Sequence, residues 1–231
     1  EAETVYLKYY WLRENLIEML YSAAISSNHR GLPMMKAMAL AFPEEKDYLN
    51  NGEQYLFCDT ILVAPVLEEK AQTKKVCFPK GTWYELWSGN EVLGSCEREV
   101  PVSLKDCPAY LKSGIVLPVI MNEKMKWAVP FSEQNQTKVI VITPPNMDDE
   151  YRYYAEEDDK YVFKCVKEDE RVFTIYSLKD IFINKLLIYG NVHEIEVDGK
   201  KEEFSIVYEN QTMTALRLKS DRWNKLTITC K

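Results

Sequence analysis

The sequence predicts a mainly β protein: two antiparallel β-sandwiches preceded by a short α/β segment. Over residues 4–28 the apolar side chains recur at three- and four-residue steps, which is helical spacing. Beyond Asp59 nearly every segment alternates apolar and polar, with a turn signal about every ten residues. The change of period falls inside Gln54–Gly89. A chain of 231 residues is long enough for two cores.

Taken in order, Val5, Tyr9, Leu12, Leu16, Met19, Leu20 and Ala23 form one apolar stripe. Tyr6, Tyr10, Trp11 and Ile17 widen it until the predicted helix expects cover on more than one side. Gly31 and Pro33 stop it. The apolar run Pro33–Phe42 suits a buried strand, and a polar loop then leads to a helical turn or two over Gly52–Phe57. Helix, strand and short helix together belong to an α/β arrangement with a parallel sheet. Strands are then expected at Thr60–Val66, Lys74–Phe78, Thr82–Trp87, Cys96–Val102 and Ala109–Val119, with Pro79-Lys80-Gly81 as a tight turn. The polar stretch Met121–Gln136 is a candidate boundary. Nine further short strands follow, from Lys138–Thr143 to Lys225–Cys230, with Asp198-Gly199 as a hairpin turn. The expected domains are residues 1–57, 58–130 and 131–231.

A net charge of −7 without a basic cluster argues against nucleic acid and acidic membrane as partners. No apolar run approaches the ~20 residues of a spanning helix. The opening Glu-Ala-Glu-Thr continues amphipathically and does not read as a secretory signal. The six cysteines (Cys58, Cys77, Cys96, Cys107, Cys165, Cys230) lack metal-ligand spacing and are expected as reduced, partly buried thiols in a cytoplasmic setting. Asn135-Gln-Thr137 and Asn210-Gln-Thr212 are glycosylation sequons that matter only in a secretory pathway. With two histidines, His29 and His193, nothing argues for a metal or a cofactor.

The first half then resembles a known family. Leu12-Arg13, Leu20-Tyr21-Ser22, Gly31, Pro33-Met34-Met35 and Phe42-Pro43 are followed in order by Gln54-Tyr55, Asp59 and Leu62-Val63-Ala64-Pro65-Val66. Pro79, Gly81, Trp83-Tyr84 and Trp87-Ser88-Gly89 continue the series, and Cys107–Pro118 extends it. This series is similar to the closing barrel segment and following hairpin of glycoside hydrolase family 31, the α-glucosidase and α-xylosidase group. It covers about the first 120 residues. Three positions depart from the pattern: Lys36-Ala37 for Arg-Pro, Glu18-Met19 for Pro-Tyr, and Cys58 for glycine.

The resemblance implies a retaining α-glycosidase whose parent acts through two carboxyl groups about 5 Å apart. It also implies that residues 1–57 are the last elements of a (β/α)8 barrel, and that both catalytic aspartates lie on segments absent from this sequence. No catalytic residue is therefore assigned. The expected partners are the catalytic barrel of the parent and an α-linked oligosaccharide. The alternative is a stand-alone carbohydrate-binding or interaction module.

Individual residues carry competing readings. Trp83, Tyr84 and Trp87 could stack on a sugar ring, or two of them could enter the sandwich core while the third covers the hairpin. Glu156-Glu157-Asp158-Asp159 is carboxylate-dense, but neighbours on a turn or strand point apart, so a solvated acidic turn is the reading. His29 suits the helix C-terminus, His193 is expected in a turn, and Cys58 has no visible activator. Arg13 and Lys36 are candidates for structural ion pairs.

Overall fold

The computed structural model describes residues 2–45, 51–103 and 105–231. They form two compact units: Ser26–Ser113, and Glu1–Ile25 together with Gly114–Lys231.

The expected helix over residues 4–28 is two segments, α1 (Ala2–Asn15) and α2 (Ile17–Arg30). At the joint, the Leu16 N–H is shared between the Leu12 and Arg13 carbonyls, both at 3.1 Å. Asn15, Leu16, Met19 and Ser22 are buried, whereas Tyr6, Tyr10, Ile17 and Tyr21 are exposed. At 3.6 residues per turn, those four exposed positions lie within about 60° of arc. The helices are covered on one side and bare on the other.

In the Ser26–Ser113 unit the chain forms β1 (Met35–Ala37), α3 (Met38–Ala41), β2 (Tyr55–Phe57) and β3 (Ile61–Val63). It continues through β4 (Thr73–Phe78), β5 (Thr82–Glu85), β6 (Glu91–Leu93), β7 (Cys96–Pro101) and β8 (Ala109–Lys112). One six-stranded sheet runs β1-β2-β3-β8-β5-β6, and β4 pairs with β7 as a ribbon. Val76 and Phe78 of the ribbon pack with Leu62, Trp83 and Tyr110 of the sheet in one buried cluster. The Gln54 amide stitches onto β4, donating to the Cys77 carbonyl at 2.7 Å and accepting from its N–H at 2.9 Å.

The reading of Gly52–Phe57 is corrected here. Gly52–Phe57 is not a helical turn; Tyr55–Phe57 pairs antiparallel with both β1 and β3. The expected parallel arrangement is therefore absent from these strands, which pair antiparallel. The expected cut after residue 57 also runs through a sheet, because Phe57 and Ile61 are paired across the β2–β3 turn. Residues 46–50 of the expected polar loop lie outside the described residues.

The second unit holds β9 (Val116–Asn122), β10 (Gln136–Ile142), β11 (Asp149–Glu156), β12 (Asp159–Lys167) and β13 (Val172–Ile181). After these come β14 (Lys185–Ile188), β15 (Val192–Val197), β16 (Lys200–Lys201), β17 (Phe204–Glu209), β18 (Thr214–Leu218) and β19 (Trp223–Cys230). One sheet runs β17-β18-β14-β10-β9 and the other β11-β12-β13-β19-β15-β16. All pairs are antiparallel except β10 with β14. Ile140, Ile142, Leu186 and Ile188 of the first sheet share a buried core with Phe163, Ile175, Ile195 and Ile228 of the second. This is an antiparallel β-sandwich. Asp198 and Gly199, at φ 52° and 78°, make the expected hairpin turn between β15 and β16.

The boundary expected at residue 130 falls inside this unit, because β9 pairs with β10 from Val116↔Ile142 to Asn122↔Gln136. The expected strand Ala109–Val119 is divided at Gly114, whose φ is 73°. The helices cover both neighbouring sheet edges. Asn15 Nδ2 donates to the Ile120 carbonyl on β9 at 2.8 Å, and Ser22 Oγ accepts from the Tyr154 N–H on β11 at 2.9 Å. Covered edges do not recruit foreign strands.

Candidate functional site

In the Ser26–Ser113 unit a charged cluster surrounds Asp59. The β2–β3 turn places Cys58 and Asp59 consecutively in the left-handed region, at φ 52° and 57°. The Thr60 N–H closes the turn on the Phe57 carbonyl at 3.0 Å. One Asp59 oxygen receives Lys36 Nζ and the other receives Arg30 Nη1, the latter at 3.1 Å. The Lys36 side chain is only 7% exposed because β1 turns it inward, while Asp59 is half-exposed. One carboxylate held between two cations is a structural cluster, without the second carboxyl group that glycoside hydrolysis requires. Burial, reinforced by the Asp59 charge, pushes the neighbouring Cys58 thiol up to about 12, so it is not an activated nucleophile.

Cys58 occupies a conformation that costs an L-residue ~1 kcal/mol or more. Cys58→Gly therefore trades strain relief against lost burial, and stability is expected to stay within ~0.5 kcal/mol in urea denaturation. Cys58→Val is expected to cost ~2 kcal/mol, because a β-branched side chain fits this region worst. Equal effects of the two substitutions would contradict the strain account.

Two of the three aromatic candidates are covered. Trp83 is 1% exposed and donates Nε1–H to the Pro79 carbonyl at 2.9 Å. Tyr84 is buried as well, because β5 lies inside the sheet between β8 and β6 and is covered on both faces. Of the three, Trp87 alone is partly exposed. A covered ring offers a sugar no face.

The acidic turn Glu156–Asp159 is a hairpin in which Asp159 is paired with Lys179. Among the described residues no group of three His, Cys, Asp or Glu side chains could hold a metal ion. His193, expected in a turn, lies exposed on β15, and Arg13 pairs with its neighbour Glu14 at the surface.

In the other unit, Glu18 is the residue that sequence reasoning passed over. It stands in the first turn of α2, where a carboxylate suits the helix dipole. Tyr153 of β11 donates its hydroxyl to Oε2 at 2.5 Å, and Lys138 of β10 reaches Oε1 at 2.9 Å. Burial pushes this carboxyl upward, but the Tyr153 hydroxyl and Lys138 outweigh it and hold the group below its usual range. The available signal was that Glu18 replaces a proline of the resembled pattern.

Residues 31–117 match the glycosyl hydrolase family 31 C-terminal domain. An isomaltosyltransferase of Sporosarcina globispora is 32% identical over 117 residues, 51% of this chain and 11% of that protein. An α-xylosidase of Saccharolobus solfataricus is 33% identical over 121 residues, 52% of this chain and 17% of that protein. The chain thus spans a small fraction of the curated relatives it matches. The cycloalternan-forming enzyme of Listeria monocytogenes, solved with a pentasaccharide substrate, superposes on 97% of the chain at TM-score 0.82 and 19% identity, over 23% of that structure. The dextranase of Flavobacterium johnsoniae superposes on 95% at TM-score 0.72 and 20% identity, over 32% of its own chain. At such identities these structures establish the fold.

Proposed function

We propose, from the match of residues 31–117 to the glycosyl hydrolase family 31 C-terminal domain, that the chain is the supporting C-terminal part of an α-glucosidase-like enzyme. The parent hydrolyses O-glycosyl bonds of α-linked oligosaccharides through carboxylates outside these residues. This chain's part is to buttress the catalytic barrel. The carrying observation is the bare face of α1 and α2, where Tyr6, Tyr10, Ile17 and Tyr21 stand in one stripe opposite the buried residues. Exposed apolar stripes of this kind mark interaction surfaces. Cys58, Cys77, Cys96, Cys165 and Cys230 form no disulfides, which supports a cytoplasmic setting.

The test is hydrolysis of an aryl α-glucoside by this chain and by the full-length protein. The full-length protein is expected to turn over, and this chain is expected to show no turnover above background. Enzyme-like rates from this chain would sink the reading, since Asp59 is saturated by its two cations. A second reading, glycosyl transfer in place of hydrolysis, is favoured by the isomaltosyltransferase among the relatives. Longer oligosaccharide products from the full-length protein would select it.

A further inference from the structure

Asn51 is the one asparagine of the chain that is followed by glycine. An asparagine side-chain amide can be attacked by the backbone nitrogen of the next residue. A side chain on that residue obstructs the attack, and Gly52 has none. Gly52 is exposed, and a Cβ built on it meets no atom within 4 Å. Among the described residues its N–H has no hydrogen-bond acceptor. Asn51 Oδ1 accepts the Glu53 N–H at 3.2 Å, which curls the side-chain amide back along the chain across Gly52. Attack on Asn51 Cγ would place negative charge on this same oxygen, and a backbone N–H already aimed there stabilises it. Asn210 is the contrast. Its Oδ1 receives the Thr212 and Met213 N–H groups, its Nδ2 donates to the Tyr208 hydroxyl, and Gln211 follows it.

We propose that Asn51-Gly52 is a self-modifying site, at which the chain converts Asn51 to aspartate and isoaspartate without an enzyme. Hydroxide takes the proton of the Gly52 nitrogen, which then attacks Asn51 Cγ. The Cγ–Nδ2 bond breaks, and Nδ2 takes a proton from water and leaves as ammonia. Water opens the resulting five-membered succinimide at either carbonyl, so the net change is amide and water to carboxylate and ammonium. Opening at the backbone carbonyl leaves an isoaspartyl linkage, which adds one carbon to the main chain. Gln54 lies three residues on, with its buried amide bonded on both sides to Cys77 of β4. Lengthening the chain beside that stitch loosens β4.

The experiment incubates the full-length protein in heavy-oxygen water at pH 7 and pH 8. Its peptides are then mapped by mass and by labelling with an isoaspartyl methyltransferase. Asn51 is expected to convert about tenfold faster than Asn210, or more. The rate is expected to rise about tenfold per pH unit, because the reacting nitrogen must first be deprotonated. Gly52→Ala is expected to slow conversion by about tenfold. Open space and a φ outside the left-handed region let alanine replace Gly52 without disturbing the fold. In the isoaspartyl form, amide exchange over Thr73–Phe78 is expected to rise about fivefold, the loss for one hydrogen bond. Asn51→Asp carries the new charge without the extra carbon and is expected to leave that exchange unchanged. Conversion of Asn51 no faster than that of Asn210, or an undiminished rate in Gly52→Ala, overturns the site. Unchanged exchange over Thr73–Phe78 in the isoaspartyl form, or an equal rise in Asn51→Asp, overturns the loosening of β4.

Discussion

Asp59→Asn is expected to destabilise the protein by ~2–3 kcal/mol, measured by urea denaturation. The cost comes from what remains. Lys36 is nearly covered, and without the Asp59 carboxylate its ammonium is a buried charge without its counter-ion. Asparagine is the informative substitution because it tolerates the left-handed conformation at φ 57°, so the backbone is not disturbed as well. Lys36→Met alone is expected to cost under ~1 kcal/mol, since methionine fills the space of the lysine stem and leaves Asp59 with Arg30. Combining the two substitutions is expected to restore most of the loss, because the uncompensated ammonium is gone. Half exposure of Asp59 keeps the estimate below that for a fully buried pair. A cost under ~0.5 kcal/mol for Asp59→Asn would mean that the lysine reaches water, and the cluster would lose its structural role.

How much of this was legible in the sequence depends on which physical signal each element leaves. Strands with one face in a core show period two, and β4, expected at Lys74–Phe78, is found at Thr73–Phe78. The three-residue strands β1 and β2 are too short to show any period, so Gly52–Phe57 read as a helical turn. Trp83 and Tyr84 were ambiguous for the opposite reason. On an interior strand covered on both faces consecutive residues are buried, and composition alone cannot tell a covered ring from a platform. Asp59 and Lys36 were both visible as residues, but their pairing depends on the antiparallel β1–β2–β3 register that short strands conceal. The Glu18–Tyr153 bond joins residues 135 apart, and such contacts leave no local pattern. The family motifs were readable in the first half because they are ordered and closely spaced. The sandwich beyond them kept its alternation and little else that sequence comparison can follow.

The second large effect is expected at Asn15, which is wholly buried and uses both ends of its amide. Nδ2 donates to the Ile120 carbonyl and Oδ1 accepts from the Ala128 N–H, both at 2.8 Å. Asn15→Leu preserves the volume and abandons both backbone groups under a covering helix, at an expected cost of ~3 kcal/mol. Asn15→Asp separates the two bonds. At neutral pH its carboxylate still accepts from Ala128, but a second oxygen now opposes the Ile120 carbonyl and the charge is buried. The N15D variant is therefore expected to lose at least as much as N15L at pH 7. Burial raises the folded-state pKa of such a carboxyl above its unfolded value of about 4. The folded variant then binds more protons than the unfolded one, so its deficit relative to the native chain shrinks as pH falls through that raised value. A protonated carboxyl can also donate to Ile120, restoring the bond that asparagine makes. Denaturation at pH 7 and pH 5 decides the matter. N15D should recover toward the native chain at the lower pH while N15L stays equally impaired, and a pH-independent deficit for N15D would mean that water reaches the site and the helix does not seal the β9 edge.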